Sequence, residues 1–318
     1  MTQSSLDGTL DIVIVNWNGG SQLLDAVRSI QEHHADLVGT VIVVDNASSD
    51  DSLARVADIQ SELPFRLRIV ANTENRGFGA ACNQGAAVAS ARFLLFLNPD
   101  TRLFRESLST PVAYLMKPEN AGVGVAGIQL IDQSGAVSRS CSRFPDFAVF
   151  LAQATGLNRV PAFSRLSTHM ADWSHDETRR VDHVIGAFYL MPRELFEALD
   201  GFDERFFVYL EDLDLSLRVR RAGYEVVYLS TAQAFHAGGG TSRQVRAHRL
   251  FYSLRSRLLY GRKHFKPARA AALVALTLGI EPLTRTAFSL IRGNIDDVRN
   301  TWKAYAMLVG DLPRILRH

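Results

Sequence analysis

Phe93-Leu94-Leu95-Phe96-Leu97-Asn98-Pro99-Asp100 is the stretch that decides the fold. Five consecutive apolar side chains closed by an Asx-Pro turn read as a buried strand that delivers a lone carboxylate to its own tip. In open α/β sheets ligands gather beyond the carboxyl ends of strands. Asp100 therefore stands where a phosphate-bearing substrate and a divalent cation would meet. Alone, the triplet reads as a strand-ending turn; its company points further. Asp45-Asn46 ends an earlier apolar run, and Glu211-Asp212 and His236 occur later in the chain.

Upstream, residues 10–16 and 40–45 are β-branched apolar runs ending in polar residues, and 22–33 between them carries Leu23, Leu24, Val27 and Ile30 at helical spacing. Asn46-Ala47-Ser48-Ser49-Asp50 suits a helix cap before a helix over 53–63, and 65–71 reads as a strand. Gly77-Phe78-Gly79 then opens a helix over 80–90. Three βα units in a hundred residues imply a parallel sheet with right-handed crossovers. Downstream, strands are expected at 124–131 and 136–141 around a turn at 132–135, and a loop-rich acceptor region over 144–180. A strand is expected at 184–191, then a short helix between Pro192 and Gly201. Residues 206–210 lead into a helix bearing Glu211-Asp212-Leu213-Asp214, which Gly223 ends before a strand at 225–229.

At 318 residues and 47% hydrophobic content the chain can bury a full core. Its net charge of +2 is unevenly spread: residues 1–242 hold 20 Lys and Arg against 29 Asp and Glu, residues 243–318 hold 15 against 4. This divides the chain into a main domain, 1–242, and a basic helical segment, 243–318. Nine basic and no acidic residues lie between Arg243 and Arg269, with Leu250, Phe251, Leu254 and Leu258 at helical spacing among them. That pattern reads as an element for an anionic membrane surface, or as a face packed on the main domain or on a second copy in a homo-oligomer. No nucleic-acid-binding module accompanies the charge. Residues 270–280 are apolar but short, and Glu281, Pro282 and Arg285 interrupt the stretch beyond them, so peripheral attachment is expected rather than a spanning helix. Cys82 and Cys141 give neither a disulfide framework nor a metal-ligand spacing, and no signal peptide is read, so the expected location is cytoplasmic, at the inner membrane face.

Val15-Asn16-Trp17-Asn18, Val44-Asp45-Asn46-Ala47-Ser48-Ser49-Asp50, the segment from Asn75-Arg76-Gly77-Phe78-Gly79 to Asn83-Gln84-Gly85, Leu97-Asn98-Pro99-Asp100, Gly201-Phe202-Asp203-Glu204, Glu211-Asp212-Leu213-Asp214 and Phe235-His236 occur in this order. Together they resemble family 2 glycosyltransferases of the GT-A fold, most closely the bacterial rhamnosyltransferases of cell-wall and O-antigen assembly. The resemblance implies a Rossmann-like, mostly parallel mixed sheet flanked by helices, with a C-terminal helical appendage. It also implies an inverting, metal-dependent transfer from a dTDP- or UDP-linked sugar, dTDP-rhamnose foremost, to a saccharide or polyprenyl-diphosphate-linked acceptor.

By that resemblance Asp45 accepts the imide N–H of a pyrimidine, bordered by Asn16, Asn18 and Asn46. Asn75, Gly77, Gly79 and Asn83 belong to the donor site, where a glycine turn before a helix lets backbone N–H groups approach a diphosphate. Asn98-Pro99-Asp100 occupies the place of the family's Asp-x-Asp motif, with an amide in place of the first carboxylate. Asp100 and His236 become the ligands of Mn²⁺ or Mg²⁺, and Asn98 at most a weak one. Asp212 becomes the general base, with Glu211 orienting the acceptor or the base, while Asp214 and Arg218 form a helix-face pair. Two other classes compete: a sugar-nucleotide pyrophosphorylase, disfavoured because Asn16-Trp17-Asn18-Gly19-Gly20 lacks the basic glycine-rich loop, and a non-catalytic nucleotide-sugar-binding module.

Overall fold

The computed structural model describes residues 8–238 and 246–317. The chain divides into two compact units: 1–142, 173–204 and 212–241 in the first, and 143–172, 205–211 and 242–318 in the second.

The first unit is built on β1 (Leu10–Asn16), α1 (Ser21–His34), β2 (Val38–Asp45), α2 (Ser52–Asp58), β3 (Arg66–Ala71), α3 (Phe78–Ala86), β4 (Phe93–Leu97) and β5 (Thr101–Leu103). It continues through α4 (Ser109–Met116), β6 (Val123–Ile131) and β7 (Cys141–Ser142). In β4 all five side chains are at most 2% exposed. Burying a Phe or Leu contributes about 1.5–3 kcal/mol, so this strand anchors the sheet core. β1 pairs in parallel with β2 and β4, and β2 with β3, which is the expected βα frame.

After the second unit's first segment come β8 (Arg179–Val181), β9 (His183–Val184), β10 (Phe188–Pro192), α6 (Arg193–Ala198), α7 (Glu211–Arg221) and β11 (Glu225–His236). β10 enters the sheet antiparallel between β4 and β6, and β11 runs parallel to β6. The strand order is β3-β2-β1-β4-β10-β6-β11-β5, with β8 on β11 and a separate β7-β9 pair.

Several sequence expectations are corrected. The strand expected over 136–141 reduces to a bridge at Val137 and the two-residue β7. Asp132 Oδ1 accepts from the Ser134 and Ala136 amides, and this turn holds the chain away from continuous pairing. The strand expected over 184–191 is broken into β9 and β10, because the Gly186 amide donates to a side chain rather than to the ladder. The strand expected to stop at residue 229 continues to His236 after a register shift between Leu229 and Gln233.

In the second unit the expected loop region 144–180 contains α5 (Phe147–Thr155). Asp146 caps it by accepting from the Val149 amide at 2.9 Å, and left-handed Gly156 closes it. The nearly all-apolar run of α5 hid its period. The remaining helices are α8 (Arg246–His264), α9 (Pro267–Ala275), α10 (Glu281–Ile291) and α11 (Ile295–Arg317). A π turn, Leu276–Ile280, joins α9 to α10 just before Pro282, the kind of irregularity that accommodates a proline lacking its N–H donor. Residues 267–291 thus form one helical run long and apolar enough to cross a membrane by length and composition, not the short apolar segment expected.

Leu254 and Leu258 are buried under the neighbouring helices, so they are not available to insert into a lipid surface. Helical spacing defines a face but not what covers it. Arg255 is bonded to Asp311 at 2.7 Å, and buried Arg257 to buried Glu281, so part of the basic stripe is also turned inward.

Candidate active site

Residues expected on the donor side gather beyond the ends of β1 and β2. Asn16 and Asp45 are register partners on these strands, which places their side chains together. Asn16 Nδ2 lies 2.7 Å from Asp45 Oδ1, 2.8 Å from Ser52 Oγ and 3.0 Å from Ser48 Oγ. Ser48 donates its amide to Asp45 Oδ2 and its hydroxyl to Oδ1. These bonds hold a buried carboxylate in one orientation. Asn16 Oδ1 is buried without a hydrogen-bond partner among the described residues, an acceptor left for a ligand N–H or a water.

Asn18 has left-handed backbone (φ 52°), donates its amide to Ser48 Oγ and accepts from the Ser49 amide. Asn46, also buried, donates to the Gly77 carbonyl and accepts from Asn72. Asn75 Oδ1 accepts the Gly77 amide at 2.9 Å, and Gly77 itself sits at φ 89°, a conformation that favours glycine. It is the residue before α3, whose first turn contains buried Gly79. Asn83, one turn further, holds both the amide and the carbonyl of Phe202 and reaches Glu204.

Asp100 and His236 come together through strand pairing. β5 pairs antiparallel with β11 so that Thr101 faces His236, and the Ala237 amide donates to the Asp100 carbonyl. His236 Nε2 lies 3.3 Å from Asp100 Oδ1, with the two side chains 14% and 12% exposed. Two donors at about 2.1 Å from an octahedral ion are about 3 Å apart when adjacent, so this oxygen–nitrogen pair fits a shared divalent cation. Among the described residues no third His, Cys, Asp or Glu joins them, so other ligands would come from substrate and water.

Asp212 stands in the first turn of α7. Its Oδ2 accepts the Gly186 amide at 2.7 Å and its Oδ1 the Leu213 amide at 2.8 Å. The next residue, Ala187, accepts the Asn98 amide at 3.1 Å. The broken strand therefore links the Asp212 carboxylate to the Asn98-Pro99-Asp100 turn through two consecutive residues. A Cβ on Gly186 would stand 3.1 Å from Asp212 Oδ2, which explains the glycine.

Sequence reasoning missed what lies behind Asp212: His183 Nε2 is 3.6 Å away, and its Nδ1 meets Ser216 Oγ at 2.9 Å, which in turn meets Tyr189. Burial pushes the Tyr189 phenol well above its ordinary range, so it stays a neutral partner. No spacing rule marks a lone histidine on a two-residue strand. Asp214, buried, pairs with Arg218, which also donates to the Leu199 and Gly201 carbonyls at the end of α6. Glu211, buried at the start of α7, groups with the second unit. Tyr209 and Leu210 before it both have positive φ, the kind of backbone strain that clusters near functional sites.

Residues 11–165 match the family model described as glycosyl transferase family 2. Over 196 residues the chain is 26% identical to rhamnosyltransferase WbbL of Escherichia coli (strain K12), covering 58% of this chain and 70% of that protein. Over 243 residues it is 24% identical to the N-acetylglucosaminyl-diphospho-decaprenol L-rhamnosyltransferase of Mycobacterium tuberculosis (strain CDC 1551 / Oshkosh), covering 71% and 75%. The solved structure of the mannosyltransferase PcManGT from Pyrobaculum calidifontis, in complex with GDP-Man and Mn²⁺, aligns with a TM-score of 0.56 at 18% identity, over 98% of this chain and 81% of that one. With β2 to β4 and the turns after them inside the matched span, the chain is a glycosyltransferase of the GT-A fold, and its residues 11–165, just under half its length, match glycosyl transferase family 2.

Proposed function

We propose that this enzyme transfers L-rhamnose from dTDP-rhamnose, with inversion, to a saccharide carried on a polyprenyl diphosphate at the cytoplasmic membrane face. The observation that carries the reading is the Asp212 carboxylate, aimed by the Gly186 amide and joined through Ala187 to the turn that bears Asp100. Both relatives described above are named as rhamnosyltransferases, and the mycobacterial one is named for a diphospho-decaprenol acceptor.

Asp45 and Asn16 would hold the base, and Asn75, Gly77 and the start of α3 the diphosphate. Asp100 and His236 would hold Mn²⁺ or Mg²⁺, which supplies neutralisation of the charge growing on the leaving diphosphate. Asp212 takes the proton of the acceptor hydroxyl as its oxygen bonds to the anomeric carbon and the bond to the diphosphate breaks. One candidate base and no evident nucleophile among the described residues support a single displacement, hence inversion.

The test is a panel of dTDP-, UDP- and GDP-sugars screened by thermal shift with Mn²⁺, since a ligand that binds only the folded state raises the melting temperature. The stabilising donor is then supplied with N-acetylglucosaminyl-diphospho-polyprenol, and the anomeric configuration of the product is read by NMR. Preferential stabilisation by dTDP-rhamnose and an inverted product are expected. A retained configuration, or stabilisation only by another sugar nucleotide, would overturn the corresponding part of the reading.

A further inference from the structure

The second unit contains a cavity of about 290 Å³ lined by arginines from three segments of the chain. Arg159 comes from the turn after α5, Arg246 from the start of α8, and Arg285 and Arg292 from α10 and the residue after it. Asp297 is the one acidic residue in the lining; it lies 3.3 Å from Arg246. Arg285 pairs with Glu281, but Glu281 is shared with Arg257. Arg159 stacks on the ring of Phe288, 4.7 Å from its centroid, and Arg292 has no carboxylate within 4 Å among the described residues. Counting Arg257 and Glu281 as well, five guanidiniums face two carboxylates. Like charges collected around a cavity repel unless an anion enters, and the planar guanidinium suits phosphate oxygens. The volume equals on the order of ten waters, room for a phosphate or diphosphate group.

The same chain segments expose large apolar side chains. Leu157 and Val160 flank Arg159 at 41% and 44% exposure, and Ile291 and Ile295 flank Arg292 at 81% and 53%. Only 22% of the most apolar window in 267–291 is buried. Guanidiniums for a phosphate interleaved with apolar groups open to the outside match one kind of ligand, an anionic headgroup attached to long hydrocarbon chains.

We propose that the arginine cavity of the second unit binds the phosphate headgroup of an anionic membrane lipid, with the apolar side chains around Arg159 and Arg292 entering the lipid surface. This rests on the reading that the enzyme works at a membrane. It moves the attachment from Leu254 and Leu258 to α10 and the turn after α5.

The full chain is sedimented with phosphatidylglycerol-containing and with pure phosphatidylcholine vesicles. Binding is expected for the former. Arg159→Gln/Arg292→Gln should weaken it about tenfold or more, while Arg299→Gln/Arg314→Gln, which removes the same charge from exposed positions, should weaken it by less than about threefold. Inorganic pyrophosphate should compete with the vesicles, and Ile291→Ser/Ile295→Ser should remove the salt-resistant fraction. Equal losses for the two arginine pairs would reduce the effect to diffuse charge and overturn the proposal. Pyrophosphate binding that never affects vesicle binding would make the cavity a site for a free anion and overturn it as well. Melting temperatures and dTDP-rhamnose binding of each variant are measured alongside. Lost vesicle binding with donor binding intact is charged to the cavity mutations, whereas vesicle binding without any nucleotide-sugar binding would count against glycosyl transfer alone. If the glutamine pair does not fold, Arg159→Lys/Arg292→Lys keeps the charge, and binding equal to wild type would show that the guanidinium geometry is not used.

Discussion

Asp212→Asn separates the chemical role of this side chain from its structural one. In the native protein both carboxylate oxygens accept backbone amides, Gly186 at 2.7 Å and Leu213 at 2.8 Å. Asparagine has one carbonyl oxygen, so one of these amides meets an NH₂ group. Leaving a partly buried donor unsatisfied costs about 1–3 kcal/mol. For a unit of this size each kcal/mol lowers the melting temperature by about 2–4 °C, so the variant should fold with a modestly reduced midpoint. Catalysis should suffer far more. Removing a general base lowers the rate about 10²–10⁴-fold, or about 3–5 kcal/mol of barrier, because the amide cannot take the acceptor proton. Donor contacts are assigned to other residues, so donor affinity should stay within about threefold on this accounting. Steady-state transfer with radiolabelled donor, calorimetric donor binding and thermal unfolding measure the three quantities separately. A folded Asp212→Asn protein with turnover within a factor of a few of wild type would refute the assignment.

Chelation should abolish transfer and Mn²⁺ or Mg²⁺ restore it, with Asp100→Ala more damaging than Asn98→Ala because only the first removes an ionised ligand; full activity in excess chelator would show a metal-free reaction. Gly186→Ala should lower turnover about tenfold with donor affinity unchanged, since the new Cβ stands 3.1 Å from Asp212 Oδ2 and must shift it, and small displacements of a reacting group cost rate; unchanged turnover would show that the carboxylate position is not critical. His34 should make the protein less stable in mild acid. Burial, helped by the neighbouring His33, lowers its pKa from 6.5 to about 4, outweighing the bond to the Phe104 carbonyl and the charge of Glu106, which both act to raise it. The unfolded chain then binds a proton that the fold does not, so stability is full above the unfolded pKa of 6.5 and falls as pH drops toward 4, by about 1.4 kcal/mol per unit. Denaturant midpoints from pH 7 to 4 should show this slope reduced in His34→Gln.

The βα frame was legible because its signals are local. The apolar runs of β1, β2 and β4, the helical spacing in α1, and the polar residues that end each strand are written within a few positions of one another, and pairing follows from right-handed crossovers. Asp45, Asp100 and Asp212 were likewise visible as carboxylates at strand ends and a helix start, whereas His236 entered only through the family resemblance, seven residues beyond the expected end of its strand. Their company was not visible. His236 meets Asp100 only because β11 passes a register shift and pairs with β5, a partner some 130 positions away in the chain. Gly186 aims Asp212 only because the strand it was expected to continue breaks there, and His183 stands behind that carboxylate from a two-residue strand with no period to read. In the second unit, apolar spacing in α8 marked a face of which packing then covered Leu254 and Leu258 but left Leu250 and Phe251 half-buried, while the arginine cavity is assembled from 159, 246, 285 and 292. Sequence by itself determined the alternating strands and helices between residues 10 and 97, since those elements depend on neighbours within a turn or two. Tertiary structure alone decided which distant side chains share a site and which apolar faces stay exposed, because those depend on contacts between segments that sequence spacing does not encode.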